Sequence, residues 1–196
     1  MSRILLTAFE PYDRWPENSS WEALVDFTSW YEGPAEITTR RYPVDLGGLS
    51  ERLRDDLQLH VDYAIHCGQA PGCPAIRLEA YGLNVSHENG VRLIDGPDAY
   101  RSSISVEDLA DALRSAGVPA TASYHAGTYL CNAAMYLSCH YSRVMDTATQ
   151  SLFMHLPLTP GQAAREGCET ASMSTSVASQ AIATVVQELT QRPSVA

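Results

Sequence analysis

The sequence predicts an α/β fold: a single three-layer domain over residues 1–196, with a mostly parallel central sheet and helices on both faces. Three observations lead there. The chain opens with strand and helix patterns in strict alternation, the alternation resumes after residue 105, and 196 residues suffice for a substantial core near the upper end of one domain. In order, Ile4 to Phe9 reads as a strand, Ser20 to Trp30 as a helix, Glu36 to Tyr42 as a strand, Leu46 to Leu59 as a helix and Tyr63 to Cys67 as a strand. Residues 75–85, "AIRLEAYGLNV", read as one extended segment. Residues 86–103 then read as a long loop, with Asn89-Gly90 as a turn signal. "SVED" is a capping-box-like start, with Asp in place of Glu or Gln, for a helix over 106–116 that Gly117-Val118-Pro119 stops. A strand from Ala120 to Tyr124 follows, then a helix over Tyr129 to Leu137 with Thr128 as its expected N-cap. Ser151 to Leu156 is the last strand and about Ser174 to Thr190 the closing helix. The connection 159–171 and the last few residues read as loose chain.

Composition removes several function classes. A net charge of −10 argues against nucleic acid, whose phosphates need clustered Lys and Arg. All 13 basic residues are arginine, so Schiff-base chemistry, pyridoxal-phosphate attachment and a phosphate-loop lysine are excluded together. No apolar run approaches the ~18 residues of a membrane span. Five cysteines, at 67, 73, 131, 139 and 168, form no CxxC pair, which signals neither a disulfide framework nor a zinc site. Reduced thiols and an N-terminus without a leader pattern fit a cytoplasmic protein.

Ligands in open α/β sheets lie beyond the carboxyl ends of the strands, which singles out Phe9, Gln69, His155 and the helix start holding Cys131. A cysteine in a first helical turn meets unpaired N–H groups and the helix dipole, and both favour a thiolate. A nucleophilic sulfur also needs a base within about 3 Å and a third group to orient that base. His155, in "SLFMHLP", can be the base, although a hydrogen-bonded core role fits it as well; His66, His87 and His125 compete. Glu79 can orient the imidazole, because a carboxylate in "AIRLEAYGLN" is costly to bury without a partner; an edge position facing solvent or a pairing with Arg77 explains it equally. Neither a G-x-S-x-G elbow nor a glycine-rich phosphate loop occurs. Cys67, Cys73 and His66 lack ligand spacing, so no metal is expected.

Four motifs in order resemble the pyroglutamyl peptidases, cysteine peptidases also called pyrrolidone carboxyl peptidases. "LLTAFEPY" with "NSSWEAL" is similar to their opening strand, aromatic turn and first helix start. "HCGQAPG" through "LEAYGLN" is similar to their glutamate segment, "AGTYLCN" to their nucleophile motif, and "FMHLPLTPGQ" to their histidine segment. "SMS" before the final helix also matches.

The resemblance implies removal of N-terminal pyroglutamate from peptides by a triad of Glu79, Cys131 and His155, without a cofactor. Phe9 and Tyr12 match the family's two ring-flanking aromatics, and Asn18 and Gln69 stand at positions suited to polar substrate contacts. Homo-oligomers, often tetramers, are the family habit. Three departures stand out: Asp13-Arg14 replaces the usual Gly-Gly, Tyr12 replaces a Phe, and the shorter "SHENGVRLIDG" replaces an Arg-bearing run, leaving Arg92 nearby in sequence without matching the motif. A related amidase acting on another lactam or acyl amide, and a non-catalytic binding protein keeping the fold, are the rival readings. Fast alkylation of Cys131 near neutral pH would separate enzyme from binder.

Overall fold

The computed structural model describes residues 1–87, 90–167 and 169–191, so Asn89 of the turn signal and Cys168 lie outside the described residues. The opening follows the predicted alternation: β1 (Arg3–Phe9), α1 (Ser19–Trp30), β2 (Glu36–Tyr42), α2 (Leu46–Leu57) and β3 (Tyr63–Gln69). The second half holds β4 (Ile76–Glu79), β5 (Tyr81–Leu83), β6 (Ala99–Arg101), α3 (Val106–Ser115), β7 (Ala120–Ser123), α4 (Leu130–Val144), β8 (Gln150–Leu156), α5 (Pro160–Glu166) and α6 (Thr175–Gln191). Six strands form the main sheet in the order β2-β1-β3-β8-β4-β7, while β5 and β6 make a separate antiparallel pair.

Every pairing in the main sheet is parallel except β4 against β8. Helices α1, α3 and α6 pack together on one face, and α2 and α4 on the other. The period of the apolar residues explains the docking. On α2, Leu49, Leu53 and Leu57 recur every four residues, form one stripe and are fully buried, each contributing roughly 1.5–3 kcal/mol. Asp45 starts that helix by accepting from the Gly48 N–H at 2.7 Å. Between the helical layers, β3 is buried along its whole length, as a central strand covered on both sides must be.

Four local expectations change. The extended segment 75–85 breaks after Glu79 into two strands of different sheets, because Gly82 presses on the α4 backbone: a Cβ there would sit 2.5 Å from the Tyr136 nitrogen. The expected loop 86–103 contains β6, and its earlier part is pinned by Asn84, which accepts from the Leu93 and Ile94 N–H groups and donates to the Ile94 and Gly96 carbonyls. Helix α4 continues past Leu137 to Val144, and two polar residues of the extension are buried with partners: Ser138 against the Ser151 hydroxyl at 2.7 Å, and His140 against the Tyr100 hydroxyl at 3.1 Å. The connection 159–171 holds α5, started by a capping box in which Thr159 and Gln162 satisfy each other's backbone N–H groups.

Candidate active site

The carboxyl ends of β1, β3 and β8 and the start of α4 surround a cavity of about 350 Å³. It opens beside β1 and β3, where the chain leaves β1 outward to β2 and returns on the other side as β3, a switch point of the kind that leaves a crevice. Phe9 ends β1 and is buried, and Tyr12 follows it in the turn. Asn18 caps α1: its Oδ1 accepts from the Ser20 N–H at 3.1 Å and the Ser20 hydroxyl at 2.7 Å, while its Nδ2 donates to the Glu10 carbonyl at 3.0 Å. One side chain thus ties the aromatic turn to the helix behind it.

Gln69, at the end of β3, is held from behind. Its Oε1 accepts from the Ser19 N–H at 2.8 Å and from Gln162 Nε2 at 2.7 Å, and Gln162 also donates to the Glu17 carbonyl. Gln162 is fully buried. It is a positioning residue the sequence reading passed over, although Thr159-Pro160-Gly161-Gln162 carries a capping-box signal that could have found it.

On β8, His155 Nδ1 lies 2.7 Å from Glu79 Oε1. Glu79 has no exposed surface. The register explains the approach: β4 runs antiparallel to β8, with Arg77 opposite His155 and Glu79 opposite Phe153, so Arg77, Glu79 and His155 share one face and Glu79 lies one step deeper, on the diagonal. Because β4 enters at the rim and runs inward between β8 and β7, its acid sits buried behind the imidazole, not on an edge strand facing solvent.

Cys131 arrives from the opposite direction, in the first turn of α4. Asn132 fixes that turn, with Oδ1 accepting from the Leu83 N–H at 2.7 Å and Nδ2 donating to the Leu83 and Val85 carbonyls. Thr128 does not cap the helix. The N-cap is Tyr129, with no side-chain bond, and the first intrahelical bond is Ala133 N–H to the Tyr129 carbonyl at 3.1 Å. The N–H groups of Leu130, Cys131 and Asn132 precede that bond, as the opening donors of any helix do. Gly68, paired with His155 across β3 and β8, leaves room for the sulfur: a Cβ there would lie 2.9 Å from Cys131 Sγ and 2.7 Å from the Phe153 ring.

Electrostatics separates the candidates. Burial opposes a charge on His155, but the charge and hydrogen bonding of the Cys131 sulfur, then those of Glu79, win and raise its pKa to about 9. Burial would push the Glu79 carboxyl up; the His155 bond, the Ser123 hydroxyl at the paired position on β7, and the Arg77 charge outweigh it and hold the pKa below the ordinary value. His66 is driven down to about 3 by burial and is bonded to the Thr7 hydroxyl at 2.8 Å, so it stays neutral inside the sheet. His87 is exposed against the Tyr129 ring, and His125 is exposed with Nδ1 accepting from the Gly127 N–H. Burial pushes the Cys67 thiol up to about 12 and the Cys139 thiol up to about 11. Of the described cysteines, Cys131 alone lines the cavity. Among the described residues, no group of three or more His, Cys, Asp and Glu side chains is arranged to hold a metal ion.

The family model for pyroglutamyl peptidase matches residues 2–192. The chain belongs to the pyroglutamyl peptidase family. Its relatives include the pyrrolidone-carboxylate peptidase of Pectobacterium carotovorum, 34% identical over 100% of this chain and 97% of its own. Another, from Clavibacter michiganensis, is 34% identical over 83% of this chain and 82% of its own. Among solved structures, the pyrrolidone carboxyl peptidase of Fervidobacterium islandicum superposes with a TM-score of 0.92 at 30% identity, covering 97% of this chain and 99% of that one. The Thermococcus litoralis enzyme gives 0.87 at 28% identity over 100% and 99%.

Of the chain's departures from the family motifs, Tyr12 lines the cavity. Asp13, in place of a glycine, keeps a left-handed backbone at φ 53°. The Tyr12 hydroxyl donates to the Gln69 carbonyl at 3.5 Å, and burial, followed by the charge on Cys131, raises its pKa to about 12. Arg92 is turned away, bonded to Asp98 at 2.7 Å and to the Gly96 carbonyl within its own loop. The arginine lining the cavity is Arg77.

Proposed function

We propose that this chain is a cysteine exopeptidase that removes N-terminal pyroglutamate from peptides. The observation that carries the reading is one imidazole, His155, bonded to the buried Glu79 and lining, together with Cys131, a cavity walled by Phe9 and Tyr12. A pyroglutamyl ring is flat and uncharged at its amide. Two aromatic walls with a few amide-directed contacts, from Gln69 and Asn18, suit it better than an ammonium group.

His155 takes the thiol proton as Cys131 attacks, and Glu79, bonded to its Nδ1, keeps that ring turned toward the sulfur. Cys131 adds to the pyroglutamyl carbonyl, and the opening N–H groups of α4, which no side chain caps, receive the oxyanion. His155 passes its proton to the leaving amine, then takes one from the water that hydrolyses the thioester. In the same proposal the enzyme is cytoplasmic and self-associates. Among the described residues, no helix is long and apolar enough to cross a membrane.

The test is release of a fluorescent amine from a pyroglutamyl amide by the purified chain, with Cys131→Ala beside it. Turnover by the wild type and a fall of roughly 10³ or more in the variant are expected. Robust turnover by Cys131→Ala would refute the nucleophile.

A further inference from the structure

The cavity has an asymmetry that pyroglutamate binding does not use. Along the rim, the sheet order places Phe9 (β1) and Gln69 (β3) on one side of His155 (β8), and Arg77 (β4) and the loop after β7 on the other. In the proposed peptidase reading the lactam lies between Phe9 and Tyr12 on the first side, and since the leaving amine must meet His155, the rest of the peptide continues over β4.

There the chain presents one strong charge. Arg77 stands directly opposite His155 on the same sheet face. It lines both the main cavity and an adjoining groove of about 280 Å³ bounded by the 71–75 turn and Thr121. Its Nε is buried without a hydrogen-bond partner, and no salt bridge joins Arg77 to an acid among the described residues. Its charge is felt by Glu79, which is already engaged by His155. Neither the cavity nor the groove is lined by an Asp or Glu, in a chain whose net charge is −10. A guanidinium left unpaired at the mouth of a site is suited to a carboxylate, which it can grip with two parallel bonds.

We infer that Arg77 is a specificity residue for the leaving group, binding a carboxylate on the amino acid that follows pyroglutamate. This rests on the proposed peptidase reading. Two sources supply that carboxylate: an acidic side chain, or the free C-terminus of a pyroglutamyl dipeptide.

The experiment compares kcat/KM for pyroglutamyl-alanine amide, pyroglutamyl-alanine with a free carboxylate, pyroglutamyl-aspartate amide and pyroglutamyl-lysine amide. At least one carboxylate substrate is expected to exceed the neutral amide by about tenfold, and the one that does identifies the source. The ratio should shrink toward one in Arg77→Gln and persist in part in Arg77→Lys. Raising salt from about 0.05 to about 0.5 M should lower the wild-type ratio, a readout that needs no variant to fold. Equal rates on all four substrates, or a preference for lysine, would overturn the assignment while leaving the peptidase reading intact. Failure to cleave any of them would instead sink the peptidase reading.

Discussion

Replacing Glu79 by Gln tests the reasoning most directly, because it removes a charge without changing shape. The carboxylate is fully buried and 2.7 Å from His155 Nδ1. It does not line the cavity, so its effect must pass through the imidazole. An amide at this place offers His155 either a neutral oxygen or an N–H, and the second holds the ring in the wrong tautomer. The corresponding neutralisation in a serine peptidase triad lowers kcat about 10⁴-fold. A thiol ionises more readily than a hydroxyl, so a fall of about 10²–10⁴ is expected here, roughly 3–5 kcal/mol on the barrier. KM should change less than about threefold, since no substrate contact is lost. With Glu79 neutral, His155 loses part of what raises its pKa to about 9, so the basic limb of the kcat/KM profile should move to lower pH. The assay is steady-state release of a fluorescent amine from a pyroglutamyl amide between pH 5 and pH 10, run well below the variant's melting temperature. A loss under about tenfold, or one carried entirely by KM, would refute the view that Glu79 works through His155.

Three further predictions follow from the same geometry. Gly68→Ala puts a methyl group 2.7 Å from the Phe153 ring and 2.9 Å from Cys131 Sγ; it should cost about 1–3 kcal/mol in denaturant unfolding and slow alkylation of Cys131. Gln162→Ala strips one donor from Gln69 Oε1 and dissolves the α5 capping box, so unfolding free energy should fall by about 1–3 kcal/mol and KM should rise more than kcat falls. The third concerns pH. The folded-state pKa of His155 is raised from 6.5 to about 9, so its contribution to stability is complete below 6.5 and is lost as pH rises through about 9. Denaturant midpoints should therefore drop between pH 7 and pH 10, with a shallower drop in Glu79→Gln; equal slopes in the two proteins would contradict the coupling.

Much of the fold was legible because hydrophobic period is local. The alternation through Gln69 and the stripe Leu49, Leu53 and Leu57 needed nothing beyond the chain itself. Misreadings arose where a distant partner overrides local preference. The helix read as ending at Leu137 runs on to Val144, where Ser138 and His140 are buried against Ser151 and Tyr100. Gly82 looks like part of one long strand until the α4 backbone lies against it. Thr128 has the chemistry of a cap, yet the backbone leaves β7 so that Tyr129 takes the capping position and the helix start stays uncapped. Gln162 was passed over, and Arg77 was weighed only as a partner for Glu79, for the same reason, since a glutamine in a capping box and an arginine in a strand acquire meaning only from the Gln69 and His155 they face.

By itself the sequence determined which chemistries were available: a chain without lysine, with separated cysteines, a histidine in an apolar strand and an acid whose burial demands a partner. Residue type and local period carry that information. The tertiary structure decided which of four histidines meets the acid, because the choice depends on strand direction. With β4 antiparallel to β8, Glu79 runs inward to lie behind His155; a parallel β4 would carry its acid toward the rim and leave the imidazole without a buried partner.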